Sequence, residues 1–523
     1  YGKLQAKAAI KDVSRALGVE FRAANDIVKF VPEQLGIKLK DALEDAQLKG
    51  LYESNPQVRR VINLARSIEG MTRQTGIHAA GVVIADKPLV EHAPMYRDGP
   101  DGGPVVQYDM KSAESIGLIK FDFLGLKTLD QIRDAIKMIH RNTGELIDIS
   151  AIPVDDQKVF DLLTRGDAYG VFQVESQGMR KLLRRLKPSV IDDLIALLAL
   201  YRPGPLSSGM VDSFIECKHG RQEIEYPNPL LEPILSTTYG SIVYQEQVMM
   251  IAQEMASYSL GEADLLRRAM GKKKVEEMNK QRVRFIDGAV KNGIDSENAG
   301  YVFDLMAYFA GYGFNKSHSA AYGMISYQTA YLKAHHRAEF MAALMSVDNN
   351  NTDKVFDYIK DCQKARIKIV PPDVNQSFGY FDVPAKNRKT IVFGLSALKG
   401  VGEKAAEAIV EAREKNGGPF SSFMDCLEQL DFGRVNKKVL ENLIKCGAFD
   451  WTGNTRMEMF SILPNAISAA VNHQERERSG QVTLFGAFAD IIEKPEFKIP
   501  EIGEWPVETR VKYELDALGN YLT

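Results

Sequence analysis

At Thr128 the periodicity of this sequence changes, and that change limits the possible architectures more than any other feature. Just upstream lies Ile116-Gly-Leu-Ile-Lys-Phe-Asp-Phe-Leu-Gly-Leu126. Its side chains alternate between the faces of a strand, so Lys120 and Asp122 share one face while Ile119, Phe121 and Phe123 share the other. The aromatic and branched face is expected to be the core side, leaving Lys120 and Asp122 toward solvent or a cleft. Two β-rich runs precede it, Gly81-Val-Val-Ile84 and Pro104-Val-Val-Gln-Tyr108, with Asp98, Gly99, Asp101, Gly102 and Gly103 as turn residues. Downstream, helical spacing dominates as far as Pro371-Pro372, most clearly over residues 128–141, 190–200, 244–257, 276–290 and 325–346. The chain reads as multidomain and mainly α, with a small α+β portion.

The 523 residues are too many for one ordinary core. Domains of roughly 100–200 residues suggest three or four. Residues 3–17 and 57–69 form a first helical module, with Lys3, Lys7, Lys11, Arg15, Arg59 and Arg60 on its polar sides and Pro32, Gly36 and Pro56 as breakers between. A net charge of −3 excludes any case for a nucleic-acid partner from bulk charge and leaves only local patches. Cys217, Cys362, Cys426 and Cys446 show no C-x-x-C spacing, which argues against a zinc cluster or disulfide framework and fits a reducing cytoplasm. No run approaches the roughly 18 apolar residues of a membrane span. Neither terminus has a native look, and the sequence is expected to be a fragment of a longer protein.

Three segments carry chemistry. In Leu265-Leu-Arg-Arg-Ala-Met-Gly-Lys-Lys-Lys274, Arg267 and Arg268 sit on a helix that Gly271 is expected to end, and paired guanidinium forks match phosphate geometry. A solvated basic helix end is the bland alternative. In Gly313-Phe-Asn-Lys-Ser-His-Ser319, five consecutive residues supply donors, and a helix from about Ser319 would aim its N–H groups at an anion. An elaborate polar turn with an N-cap serine is the alternative. Leu398-Lys-Gly-Val-Gly402 has the form of a helix–hairpin–helix turn, in which Gly400 and Gly402 expose backbone donors to a phosphate and Lys399 and Lys404 add charge.

Weaker signals accompany these. Arg180, Lys181, Arg184 and Arg185 could track a nucleic-acid backbone beside the Met179–Leu182–Leu183–Leu186 stripe, or simply form a solvated face. Gln481-Val-Thr-Leu-Phe485 resembles the peptide by which replication factors dock on the bacterial sliding clamp, with Leu484 and Phe485 as apolar anchors. His335, His336 and Glu339 have a spacing that could ligate a metal, although a helix-end cap explains them better. No Walker A pattern is present, so an ATPase has no support.

Together these motifs closely resemble the C-family bacterial replicative DNA polymerases, the polymerase III alpha subunits. The stretches that carry the resemblance include Gln5-Ala-Lys-Ala-Ala-Ile-Lys-Asp12, Gly76-Ile-His-Ala-Ala-Gly-Val-Val-Ile84, Lys120-Phe-Asp-Phe-Leu-Gly125, Tyr201-Arg-Pro-Gly-Pro205 and Tyr244-Gln-Glu-Gln-Val248. They continue through Arg267-Arg-Ala-Met-Gly-Lys-Lys-Lys274 and Gly313-Phe-Asn-Lys-Ser-His-Ser-Ala-Ala-Tyr322. The resemblance implies a nucleotidyltransferase-type palm. It makes residues 1–75 the thumb, 76–127 the second part of the palm, 128–370 the fingers and 371–523 the clamp-binding domain with its helix–hairpin–helix. It makes Asp122 a catalytic, metal-binding aspartate with Lys120 beside the chemistry, and Arg267, Arg268, Asn315, Lys316 and His318 nucleotide contacts. Lys399, Gly400, Gly402 and Lys404 become DNA contacts, and Gln481, Val482, Thr483, Leu484 and Phe485 the clamp tether. The implied cofactor is a pair of Mg²⁺ ions. The implied partners are primer-template DNA, dNTPs, the sliding clamp and other replicase subunits, in a bacterial cytoplasm at the nucleoid.

The departure from the family is in the metal site. The family uses three aspartates, two of them on an Asp-x-Asp strand upstream of the thumb, and that strand is absent here. Two metals about 3.5–4 Å apart need several carboxylates. The expected function is template-directed DNA synthesis in the parent protein, with this polypeptide by itself inactive; the alternative is a non-catalytic DNA-binding and clamp-tethering module.

Overall fold

The computed structural model describes residues 2–32, 37–78, 80–97, 99–100, 102–272, 275–310, 313–479 and 499–519. They fall into two compact units, Tyr1–Gly125 and Leu126–Thr523. The fold is mainly α with short two-stranded sheets, as the periodicity predicts.

The first unit opens with the helices Ala6–Ala16, Phe21–Lys29, Leu39–Ala42, Ala46–Ser54 and Pro56–Ile68. They close on a core that includes Ala9, Ile10, Leu39, Leu48, Val61 and Ile62. The expected pair of helices is therefore joined by three more. Pro56 marks a break as expected, between Ala46–Ser54 and Pro56–Ile68, and it also starts the second of these helices: it stands in the first turn behind Asn55, whose side chain accepts from the Gln57 and Val58 N–H groups.

Two short ladders follow. Met95–Arg97, a strand that the sequence reading did not single out, pairs antiparallel with Pro104–Val106. Gly81–Ile84 pairs antiparallel with Ile119–Asp122, in the register Gly81↔Asp122, Val82↔Phe121, Val83↔Lys120 and Ile84↔Ile119. One expectation is reversed in this second ladder. Its aromatic and branched face is exposed, with Val82 at 49%, Ile84 at 47%, Ile119 at 58%, Phe121 at 47% and Phe123 at 69%. The small local core of Ala93, Ala113 and Leu118 gathers with Val83, on the side that also carries Lys120. The alternation assigned the residues to faces correctly. It could not reveal that the Met110–Ser115 helix and the Leu89–Glu91 turn cover the other face.

In the second unit the helices Lys127–Thr143, Ile191–Leu200, Gln245–Ala256 and Val275–Lys291 lie where the periodicity places them. The stretch expected as one helix over 325–346 is two, Lys316–His335 and Arg337–Val347. The chain breaks at His336, whose φ of −135° and ψ of 54° are not helical. The helix bearing Arg267 and Arg268 spans Leu260–Lys272, so it does not stop at Gly271. One apolar core runs through residues on both sides of Pro371-Pro372, among them Ile132, Phe340, Tyr358, Phe393 and Leu443. The parallel pair Lys368–Val370 and Thr390–Val392 bridges the two sides. No described helix is long and apolar enough to cross a membrane.

Candidate functional site

On the ladder of Gly81–Ile84 and Ile119–Asp122, the Lys120 ammonium lies 3.0 Å from an Asp122 carboxylate oxygen. The Asp122 side chain is 42% exposed and the Lys120 side chain 23%. Gly81, directly across from Asp122, makes room for this arrangement. A Cβ there would stand 2.9 Å from Lys120 Cε and 3.0 Å from His78 Nδ1. His78, which sequence reasoning did not single out, brings Nδ1 to 3.8 Å from Asp122. That nitrogen accepts the Ala80 N–H at 3.2 Å. A lone carboxylate already matched by an ammonium does not fit a two-metal centre. No group of three metal-ligating side chains occurs among the described residues.

In the second unit a different cluster forms around the start of the Lys316–His335 helix. Its cap is Asn315, not a serine: Asn315 Oδ1 accepts the His318 N–H at 2.8 Å. Asn315 Nδ2 donates to Glu246 Oε1 and the Lys316 N–H to Glu246 Oε2, each at 2.9 Å. The Ser319 N–H reaches the Asn315 carbonyl, and Ser319 itself is buried. The expected backbone anion site is thus largely satisfied from within, and the side chains, not the helix N–H groups, face outward. Lys316 and His318 do so differently. The Lys316 ammonium stands 5.4 Å from the Tyr244 ring centre, and the exposed His318 ring stacks at 4.2 Å on Tyr322 with its edge toward Phe314.

Gln245 and Glu246, on the first turn of their helix, bring a distant helix to this loop. Phe314 N–H donates to the Val243 carbonyl and Gln245 N–H to the Phe314 carbonyl, making a short parallel bridge. Arg267 Nη1 donates to Gln245 Oε1 at 3.0 Å, while its Nε and Nη2 hold Asp264 Oδ1. Arg268 reaches the other Asp264 oxygen at 2.8 Å, with its side chain 62% exposed. Hydrogen bonding from Arg267 keeps the Asp264 carboxyl below its ordinary range. One carboxylate thus organises two guanidinium groups and leaves a surplus positive charge. Arg202 lies over the Phe314 ring at 4.5 Å, and burial lowers its pKa. The structure therefore brings Arg267 together with Asn315 and Lys316, links Arg268 through Asp264, and sets His318 on the Tyr322–Phe314 aromatic surface. Arg202, Gln245 and Glu246 are the residues sequence reasoning missed. Tyr201-Arg-Pro-Gly-Pro205 and Tyr244-Gln-Glu-Gln-Val248 stood out as motifs but suggested no role.

The hairpin at Leu398–Gly402 is built as expected. Leu398 and Val401 are buried; Lys399, Gly400, Gly402 and Lys404 are exposed. Gly400 has φ +77°, and Gly402 caps the Glu403–Lys415 helix without a side chain. The Ala405 and Ala406 N–H groups bond to the Gly402 carbonyl at 3.0 Å, so the open donors of that turn belong to Glu403 and Lys404. One expected donor is already used: the Lys399 N–H bonds to the Ala517 carbonyl at 2.9 Å, and Asn442 Nδ2 holds the Lys399 carbonyl at 2.7 Å.

Other candidates serve the fold. His335 Nε2 meets Asp156 at 2.9 Å, while Arg388 binds both His336 Nδ1 and Glu339. On the Gln177–Leu186 helix the apolar stripe is buried, Arg185 pairs with Asp212, and Arg180 lies over Tyr169. Gln481, Val482, Thr483, Leu484 and Phe485 lie outside the described residues.

Residues 1–125 match the family model of the bacterial DNA polymerase III alpha NTPase domain, 128–293 the bacterial DNA polymerase III alpha subunit finger domain, and 366–459 a helix-hairpin-helix motif. The whole chain is 48% identical to DNA polymerase III subunit alpha of Escherichia coli strain K12, covering 46% of that protein. It is 46% identical, again over its whole length, to the Vibrio cholerae protein of the same name, covering 46% of it, and to that of Thermus aquaticus, covering 42%. The chain spans about half the length of the curated relatives it matches.

Proposed function

We propose, for a chain that belongs over its whole length to the bacterial DNA polymerase III alpha family, that it is the thumb-to-clamp-binding part of a DNA-directed DNA polymerase. In the parent protein this activity adds deoxynucleotides to a primer 3′ end. Residues 1–75 would be the thumb, 76–127 the second part of the palm, 128–370 the fingers and 371–523 the clamp-binding domain.

The observation that carries the proposal is the cluster of Arg267, Lys316 and His318: Gln245 holds Arg267, Glu246 holds the Lys316 N–H, and Asn315, itself bonded to Glu246, holds the His318 N–H. A surplus of guanidinium and ammonium charge beside an exposed, stacked aromatic surface fits an incoming nucleoside triphosphate. Arg267 and Arg268 would hold phosphate oxygens, Lys316 would add a point charge, and His318 would bear on the sugar or base. At the hairpin, Lys399, Gly400, Gly402 and Lys404 would grip the DNA backbone without reading sequence. Gln481–Phe485 would dock on the sliding clamp.

Mg²⁺ is the metal this chemistry calls for, and Asp122 would be one of its ligands. The described residues alone do not fit that centre, because Asp122 is a single carboxylate already paired with Lys120. Two experiments test the whole reading. The full-length protein should extend a primed template, and Asp122→Asn should abolish extension; a polypeptide of these 523 residues should incorporate nothing. Undiminished synthesis by Asp122→Asn, or template-dependent incorporation by the 523-residue chain, would overturn it.

A further inference from the structure

We propose that Gln245 and Glu246 are positioning residues that key the two halves of the nucleotide pocket to each other. The proposal rests on the nucleotide-site reading above and adds how that site holds its shape. Two adjacent side chains on one helix turn make four hydrogen bonds to groups far apart in sequence. Gln245 accepts from Arg267 Nη1 at 3.0 Å and donates through Nε2 to the Gly313 carbonyl at 3.2 Å. Glu246 accepts from Asn315 Nδ2 and the Lys316 N–H at 2.9 Å. Arg267 arrives on the Leu260–Lys272 helix, and residues 313–315 lead into the Lys316–His335 helix. Neither half can shift without breaking a bond to this pair.

The side-chain chemistry suits the two tasks. Arg267 already faces one carboxylate, Asp264. A second acid at 245 would cancel its charge toward a phosphate, whereas a neutral amide orients the guanidinium and leaves the charge available. The same amide, having both a donor and an acceptor, can hold an arginine and a carbonyl at once, which a carboxylate cannot. At 246 the demand is reversed. Both groups it meets are donors, one of them at a helix N-terminus where negative charge is favoured, so a carboxylate fits. Gln245 is half-buried, so its bonds are shielded from competing water.

The test uses the full-length polymerase with saturating primer-template. Gln245→Met keeps the side-chain length and removes both hydrogen bonds. It should raise KM for dNTP about tenfold, the worth of one hydrogen bond to a charged group, with kcat and primer-template affinity little changed. Combined with Arg267→Ala, it should add less than about twofold, because it acts through that arginine. Glu246→Ala should likewise raise KM, with Glu246→Gln, which keeps one acceptor, intermediate; this pair serves if Gln245→Met does not fold. If Arg267→Ala raises KM while Gln245→Met is silent, or multiplies the Arg267→Ala effect in full, the positioning role is wrong and the site stands. If Arg267→Ala itself leaves KM unchanged, the nucleotide site falls and the positioning role with it.

Discussion

The ammonium of Lys333, wholly buried, lies 3.1 Å from an Asp361 carboxylate oxygen. Asp167 stands 3.2 Å away on another side, and Arg337 spans both acids at 2.6 and 2.9 Å. Burial pushes Lys333 below the usual ammonium range. Burial also works to raise Asp167, but hydrogen bonds from Arg337 and the Lys333 charge outweigh it and hold that carboxyl below its ordinary value of 3.8. A carboxyl depressed in the folded state stabilises above its unfolded pKa, and that stability is lost as the pH falls through the folded value. Asp167→Asn should therefore destabilise the second unit by about 3 kcal/mol at pH 7, since it strands buried cations. The gap to the unmodified chain should shrink below about pH 4. Urea melts at the two pH values check this, and an equal gap at both would contradict it.

Arg267 and Arg268 share Asp264, yet they are not equivalent. Arg267 is half-buried and held by three hydrogen bonds, while Arg268 is exposed and held through Asp264 alone. In the full-length enzyme Arg267→Ala should lower kcat/KM for dNTP about 10- to 100-fold, and Arg268→Ala less. Steady-state kinetics with varied dNTP will rank them. An equal or reversed order would mean that fixing the guanidinium in place contributes nothing.

At the hairpin, Lys399→Ala with Lys404→Ala should weaken duplex binding uniformly across sequences and reduce the slope of log affinity against log salt by about 2. Gly400→Ala should act differently. It places a side chain at φ +77° and 2.7 Å from Asn442 Nδ2, costing about 1–2 kcal/mol of local stability. Fluorescence anisotropy over a salt series separates the two effects, and an unaltered slope in the double lysine variant would remove the hairpin from the DNA interface.

Replacing Leu484 and Phe485 by alanine should lower affinity for the sliding clamp by on the order of a hundredfold or more, as truncating two anchor residues does. Surface plasmon resonance with immobilised clamp reads this directly. Undiminished binding would rule out Gln481–Phe485 as the tether.

Most helices were legible in the sequence because burial of an apolar stripe leaves a local periodic trace. The Gln177–Leu186 helix is an example, with all four expected apolar residues inside. The break at His336 left no such trace. It coincides with a hydrogen bond between His336 and Arg388, a residue distant in sequence, and no proline or glycine marks it. The pocket was legible in its residue types and not in its wiring. Arg267, Lys316 and His318 carry recognisable chemistry, whereas the value of Gln245 lies in touching two segments that sequence spacing cannot bring together. The ladder failed for a related reason: alternation fixes which side chains are companions, and only packing decides which company is covered.

That ladder has a practical consequence. Val82, Ile84, Ile119, Phe121 and Phe123 present an oily surface on a two-stranded sheet whose outer edges pair with no other strand among the described residues. As a laboratory reagent the 523-residue chain should behave as an adhesive. Its working concentration would be limited by self-association, and hydrophilic replacements on that one face would extend its shelf life more than any improvement to its helices.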